Sequence, residues 1–358
     1  MPNKGMPVPP LFTVGVSVCN IAAYLPQAAH SLLHQTYRNF EAIVVIETST
    51  DGSERICREL FAGDERFRLF ERPRSGSVAS GRNFALRHAR GMYMVWLDGD
   101  DWLSEDALQT FAQLIEQYQM PDIVCGGTAF IEGSGDRQQQ TKQHFELLPP
   151  DRIIDGSTAL QTMLATGYLM VWLHIYRRQF LLDHELFQID RRLHEDDEWT
   201  PRVMFYAKRV LSHHFIHYFY RRRPDSLMTK KDLRTLAHHI DNVISFLDFW
   251  RDHDIPECVR HPLASFYADY LLRYWTDPKM ENFSIAERFA EYRRLAADRE
   301  RMTLFRTVVP FAGSSKRLAL RFLPLAEIAW GFHVYHLLIR KLYFPLLVKF
   351  GPFLKKRA

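Results

Sequence analysis

Through its first 132 residues the chain alternates apolar runs with amphipathic stretches. "FTVGVSV" (12–18) is a β-branched run that predicts a strand. "YLPQAAHSLLHQ" (24–35) sets Leu25, Ala28, Ala29 and Leu32 at helical spacing. "EAIVVIE" (41–47) is apolar without alternation, as expected of a parallel strand buried on both faces. A helix is predicted at "GSERICRELFA" (52–62), with Ser53 as its N-cap, then a short strand at "RFRLFER" (66–72). "SVASGRNFALRHAR" (77–90) predicts a helix that Gly91 ends. "MYMVWLDG" (92–99) is the next strand. Ser104 is the expected cap of a helix over 105–119, and "DIVCGGTAFIE" (122–132) is a further strand. This rhythm predicts an α/β fold: a Rossmann-like, mostly parallel sheet flanked by helices.

After a polar loop, "GSGDRQQQTKQ" (133–143), the pattern is mixed, with a helix near 157–166 and a strand near 214–222. From about Asp232 the chain reads mostly helical, and no internal repeat is visible. The expected division is an α/β domain over 1–230, a helical region over 231–303 and a basic tail over 304–358.

Composition narrows this picture. A hydrophobic fraction of 47% and a charged fraction of 25% over 358 residues fit folded domains rather than disorder. The four cysteines form no Cys-x-x-Cys pair, which argues against a zinc site or disulfide framework. No signal-like N-terminus and no uninterrupted apolar span of membrane length is seen, so a cytoplasmic protein is expected. The net charge of +4 is unevenly spread. Residues 301–358 carry eleven Lys/Arg and one acid, 11 − 1 = +10, which leaves 4 − 10 = −6 for the rest. In 316–357 apolar and aromatic residues alternate with cations, and Pro324 and Pro345 interrupt the run. Such pieces fit amphipathic helices on an anionic membrane surface, and equally a helical cap on the α/β domain.

The candidate chemistry sits at predicted strand ends, where open α/β sheets gather ligands. Asn20 follows the first strand, and Glu47, Thr48 and Asp51 the second. Asp98, Asp100 and Asp101 follow the fourth, in "LDGDDW" (97–102). Clustered acids there are unfavourable unless a cation arrives, and hard oxygens suit Mg²⁺ or Mn²⁺ bridging a diphosphate. A bare acidic turn before a helix is the alternative, and the position after a buried strand favours the metal. A second cluster, "LHEDDEWTPR" (193–202), holds Glu195, Asp196, Asp197 and Glu198. It suits a helix N-terminus, or a general base turned toward the same cleft. Arg74, Arg82 and Arg87 surround the Gly/Ser turn "RSGSVASGRN" (74–83), a weak phosphate signal, and Arg221 to Arg223 form another basic group. Either set also fits plain surface charge. No Gly-x-Gly-x-x-Gly follows the first strand, which disfavours a nicotinamide enzyme. No nucleic-acid partner is expected.

In this order the motifs resemble the family 2 glycosyltransferases of GT-A fold, across roughly 12–230. "SVCN" (17–20) stands where the family has Pro-Val-Tyr-Asn. "SLLHQTYRNFEAIVV" (31–45) is similar to its Ser-x-x-x-Gln-Thr-Tyr segment, and "TSTDGS" (48–53) to the end of its Asp-Asp-Gly-Ser-Thr-Asp-Gly-Ser motif. "SGSVASGRNFALRHARGMYMVWLDGDDWL" (75–103) follows its Gly-rich, Ala-Arg-Asn and Asp-x-Asp-Asp run. "LHEDDEWTPR" resembles its Glu-Asp motif and "YRRRPDSLMT" (220–229) a later Tyr-Arg segment. The chain departs from the pattern at Ser17, Cys19, Ile46, Glu47 and Thr48, which bears on nucleotide identity.

The resemblance implies an inverting, metal-dependent transferase. It would move a hexose or N-acetylhexosamine from a nucleotide-sugar, with UDP favoured, to a glycan or lipid-linked acceptor in bacterial surface polysaccharide synthesis. A catalytically weakened nucleotide-sugar-binding partner in a membrane-associated assembly is the alternative. By resemblance, Asp100 and Asp98 bind metal, and Asp196 is the base with Glu195 and Asp197 as competitors. Asn20, Glu47, Asp51, Arg82, Asn83, Asp98 and Asp101 contact the donor, Asp101 by binding sugar or supporting the loop. Trp172 lies near the acceptor edge. The inner face of the cell membrane is then an expected place of work.

Overall fold

The computed structural model describes residues 9–133, 138–145, 148–167, 169–223 and 233–276, with isolated positions beyond. The chain forms two compact units, Met1–Thr229 and Lys230–Ala358.

The first unit is built on one ten-stranded sheet. Four strands near its start are all parallel and lie in the order β3(Phe67–Arg72), β2(Phe40–Glu47), β1(Phe12–Val18), β4(Tyr93–Asp98). Every residue of β2 is buried, as its unbroken apolar run requires. The helices between these strands are α1(Leu25–Leu33), α2(Ser53–Leu60) and α3(Val78–His88).

Beyond β4 the sheet becomes mixed, which the rhythm of the sequence does not announce. After β5(Trp102–Leu103) and α4(Ala107–Gln117) come β6(Ile123–Glu132), β7(Gln139–Phe145), β8(Ile153–Ile154) and α5(Gly156–Thr166). A 3₁₀ turn at Val171–Leu173 then leads directly into β9(His174–Arg177), which inserts antiparallel between β4 and β6. After α6(Arg178–Asp183) and α7(Asp196–Tyr206), β10(Val210–Arg221) pairs parallel to β6. The two reversals around β9 cancel, so β10 runs in the direction of β4. Its carboxyl end reaches the same sheet edge as Asp98.

Three predicted helix boundaries are held differently. Gly52, at φ 85, precedes α2, and the Ser53 hydroxyl is used elsewhere. Ala89 ends α3 in extended conformation, and Gly91 is needed for a different reason. A Cβ on Gly91 would lie 2.4 Å from the Thr13 backbone nitrogen. Ser104 offers α4 its carbonyl, which accepts from the Ala107 N–H at 3.1 Å, with no side-chain cap.

The second unit contains α8(Leu233–Asp252) and α9(Glu257–Thr276), where Phe246 stacks on Tyr267 at 4.0 Å between ring centroids. The remainder of the predicted helical region and the 316–357 tail lie outside the described residues. Among the described residues, no helix is long and apolar enough to cross a membrane.

Candidate active site

Three strand ends start the site. Register sets Val18 beside Ile46 and Ser17 beside Asp98, so the loops after β1, β2 and β4 leave the sheet as neighbours. Gly99 allows a close approach between the β4 and β1 ends. Its N–H donates to the Ser17 carbonyl at 3.0 Å, and a Cβ there would sit 2.8 Å from that oxygen.

The β1 and β2 loops tie themselves together. Asn20 takes the left-handed conformation that asparagine tolerates, φ 52, and its side-chain oxygen accepts from Thr50 N at 2.7 Å. Its own N–H donates to Ser49 Oγ at 3.1 Å. Asp51 accepts from the N–H groups of Ala22 (2.8 Å) and Ser53 (3.0 Å) and from Ser53 Oγ (2.6 Å). Partial burial pushes its pKa up, but these bonds outweigh it and hold the carboxyl below its ordinary value. Ser53 Oγ also accepts from Ile21 N, which explains why it does not cap α2. The buried Glu47 carboxylate accepts from the N–H and the hydroxyl of Ser75. It thereby pins the start of the 74–77 turn, whose Ser77 caps α3 by accepting from Ala79 N.

The other side of the site is charged. Arg82, on α3 and only 4% exposed, reaches two carboxylates. Its Nη2 donates to both oxygens of Asp98, at 2.9 and 3.2 Å, and its Nη1 to Glu195 Oε1 at 2.8 Å. Burial alone would weaken its hold on the proton, yet Asp98 and Glu195 outweigh that and keep the guanidinium firmly charged. The acids at 98 and 195 thus meet across one side chain. Left-handed turns at Arg191 and His194 lead the chain into α7, which opens with Asp196, Asp197 and Glu198. Burial pushes Glu195 up to about 7 and Asp196 up to about 6, against the pull of Arg82. Asp197 lies part-exposed in the first turn, where its N–H donates to Asp196 Oδ1 at 3.1 Å. Glu198 is engaged by Arg202 at 2.5 and 3.0 Å.

Asp100 and Asp101 have different partners. Asp100 Oδ2 accepts from Arg223 Nε at 2.6 Å. Asp101 is 2% exposed and accepts from Tyr218 Oη at 2.7 Å and Arg221 N at 2.8 Å. Burial, reinforced by the charges of Asp100 and Asp98, holds its pKa well above the ordinary carboxyl value. Tyr218 Oη also accepts from the Asp98 N–H at 3.2 Å. Asn83 faces another way: its amide donates to the Gln188 carbonyl (2.7 Å) and Asp190 Oδ1 (2.9 Å) and accepts from Gln188 N. It anchors the loop that leads to Glu195. Trp172 is 6% exposed and stacks on Tyr218 at 4.2 Å and Tyr220 at 5.4 Å, so its indole backs the residues behind Asp98 and Asp101. Arg87 lies over the Phe187 ring rather than at the strand ends.

The structure therefore brings Asn20, Glu47, Asp51, Arg82, Asp98, Asp100, Asp101, Glu195 and Asp196 to one edge of the sheet. Sequence reasoning missed Ser75, Gln188 and Tyr218. Of these only Tyr218 carried a signal, as an aromatic beside the arginines that end β10.

An open α/β sheet with paired acids at the β4 end and a second carboxylate pair at a helix start offers a strand-end cleft lined with groups able to hold a cation and move a proton. Residues 13–181 match the family model described as Glycosyl transferase family 2, which marks this part of the chain as a family 2 glycosyltransferase domain. It is 28% identical over 247 residues to glycosyltransferase GlyA of Streptococcus pneumoniae, covering 66% of this chain and 34% of GlyA. It is 30% identical over 223 residues to the uncharacterized glycosyltransferase EpsJ of Bacillus subtilis, covering 61% of this chain and 63% of EpsJ. The chain thus spans about a third of one relative and under two thirds of the other. Among solved structures, S. aureus TarS 1–349 in complex with UDP-GlcNAc superposes with a TM-score of 0.71 at 18% identity, over 92% of this chain and 91% of that one. The fold is GT-A, similar to that of TarS.

Proposed function

We propose that this protein is an inverting glycosyltransferase. It moves a sugar from a nucleoside-diphosphate sugar to a hydroxyl of a glycan or lipid-linked acceptor in bacterial surface polysaccharide synthesis. The observation that carries this is the Arg82 bridge, which sets the strand-end acid Asp98 and the carboxylate pair Glu195–Asp196 on either side of one buried cation. The bound UDP-GlcNAc of the TarS neighbour makes UDP-sugars, hexose or N-acetylhexosamine, the first donors to test.

In this proposal Asn20, Glu47 and Asp51 shape the nucleotide end, and Asn83 holds the loop leading to Glu195. Asp101 supports the Asp98–Asp100 loop. Asp196 accepts the proton of the acceptor hydroxyl. The freed oxygen bonds to the anomeric carbon as the bond from that carbon to the diphosphate oxygen breaks, and the nucleoside diphosphate leaves with the electron pair.

The residues fit a divalent cation in company with the donor. Among the described residues no group of three or more His, Cys, Asp or Glu converges as a complete ligand set. Asp98 and Asp100 are hard oxygen donors with side chains 26% and 19% exposed, and a diphosphate and water complete such a set. A bound Mg²⁺ or Mn²⁺ supplies positive charge against the departing diphosphate; a Mn²⁺ complex with GDP-Man is known for a mannosyltransferase of related fold, TM-score 0.52 and 17% identity. The cationic 316–357 segment is proposed to meet an anionic membrane surface.

The test is a panel of nucleotide-sugars with Mn²⁺, read by nucleoside diphosphate release and by the anomeric configuration of any product. Slow UDP release and an inverted product are expected. Release from no donor would favour the alternative of a binding partner without catalysis, and a retained configuration would remove Asp196 from its role.

A further inference from the structure

The two acids of the Asp-x-Asp pair are held by arginines of different kinds. Arg82 is buried and committed twice, to Asp98 and to Glu195. Arg223 is not. It and Asp100 each leave 19% of the side chain exposed, and among the described residues its guanidinium meets Asp100 and the Tyr24 ring, 5.5 Å from the centroid.

The neighbouring arginine does the structural work of that turn. Arg221 donates from its backbone N–H to Asp101 and from Nε to the Asp100 carbonyl at 2.9 Å. Its guanidinium lies over Trp102 and Tyr24 and donates to Gln27. The backbone around Asp100 is therefore held by Arg221 whether or not Arg223 stays. Only the Asp100 carboxylate depends on Arg223.

We propose that Arg223 is an exchangeable counter-ion: it neutralises Asp100 when no cation is bound, and gives that carboxylate up to a divalent cation while its own charge passes to the diphosphate that arrives with it. The proposal rests on the reading of this site as one for a nucleoside diphosphate and a cation. Two positive groups on one carboxylate repel each other unless an anion is shared between them. A cation alone must therefore compete with Arg223, whereas a cation accompanied by a diphosphate need not. Cation and nucleotide should bind cooperatively, with Arg223 as the residue that makes them so.

The experiment measures Mn²⁺ binding by electron paramagnetic resonance, and UDP binding by calorimetry, on the full chain and three variants of it. Arg223→Gln should bind Mn²⁺ alone about tenfold more tightly, because the competitor is gone. In saturating Mn²⁺ the same variant should bind UDP about tenfold more weakly, because the charged donor is gone. A merely structural arginine would weaken both. Arg223→Lys keeps the charge and should stay within about threefold of the parent for Mn²⁺ alone. Arg222→Gln, which loses a surface pair with Glu132, is the charge-loss control and should change neither constant. Thermal melting confirms that each variant is folded. Unchanged or weaker binding of Mn²⁺ alone by Arg223→Gln, with normal Mn²⁺-dependent UDP binding by the parent, overturns the proposal and leaves the functional reading standing. A parent protein that binds no Mn²⁺ even with UDP overturns both.

Discussion

On the β1–β2 side of the strand ends, Asn20, Ser49, Asp51 and Ser53 close their loops with hydrogen bonds to one another and to backbone N–H groups. On the β4–α7 side, Asp98, Asp100 and Glu195 are each held by an arginine. The first arrangement is complete in itself. It sets a shape and leaves little charge to be answered. The second is a set of ion pairs in which burial works against the charged form of several members, and it is the side able to respond to an incoming charge. In the proposed reaction, shape on one side would serve recognition of the nucleotide and charge on the other the movement of the proton.

The sharpest way to break that division is Asp196→Asn. Removing a general base costs roughly 10²- to 10⁴-fold in rate, so kcat should fall by that much while UDP affinity stays within a factor of two or so. Near-normal kcat would hand the role to Glu195 or Asp197. Arg82→Met comes next. It strands Asp98 and Glu195 without their shared cation, at a cost of about 3–5 kcal/mol in urea unfolding. The loss should be larger at pH 8 than at pH 5. Glu195 and Asp196 are raised to about 7 and about 6, so at pH 5 both can carry a proton and the missing cation matters less.

The same shifts set a pH profile. A base must be unprotonated to act, so kcat should climb about tenfold per pH unit below about 6 and level off above the coupled pair. The effect on stability has the opposite sign. A carboxyl pKa raised in the fold means that the folded state holds protons which the unfolded chain has released. This pair's contribution is therefore fully present below about pH 4 and is lost as pH rises through 6 to 7. Denaturant midpoints measured with the Glu195→Gln variant should show a weaker decline over that window. An identical decline would place the protons elsewhere.

How much of this was legible in the sequence follows the same divide. Of the parallel strands, β2 and β4 were readable as apolar runs and β1, Phe12–Val18, by its β-branched residues, whereas β3, "FRLFER", was marked only by its place between two helical stretches. The strand-end acids were readable because topology sends every parallel strand to the same edge. The antiparallel insertion of β9 was not readable, since His174–Arg177 is short and follows a turn rather than a helix. Nor were the partners of the acids. Arg82 and Glu195 are 113 residues apart, and Arg223 and Asp100 are 123 apart, distances at which a local pattern carries no information. Glu47 shows the limit well. Its carboxylate looks ready to meet a base, yet it is occupied by Ser75, and nothing in "VIETSTDG" tells of a serine 28 positions on.

The smallest effect belongs to the self-contained side and tests whether it really is scaffolding. Asp51→Asn keeps the shape and one carbonyl acceptor but points an amide N–H at a backbone N–H that had been satisfied, at Ala22 or at Ser53. With Asp51 near the surface, the expected cost is about 1 kcal/mol in unfolding stability. Hydrogen bonds hold the Asp51 carboxyl below its ordinary value, so its own contribution is present above about pH 4 and lost as pH falls further. The difference between parent and variant should accordingly narrow toward pH 3. If the loop only sets a shape, kcat is unchanged and UDP binding weakens by no more than the shift of the loop itself. A large, nucleotide-selective loss, with UDP affected and GDP spared, would instead mean that Asp51 touches the base, and the β1–β2 side would then carry recognition as well as shape.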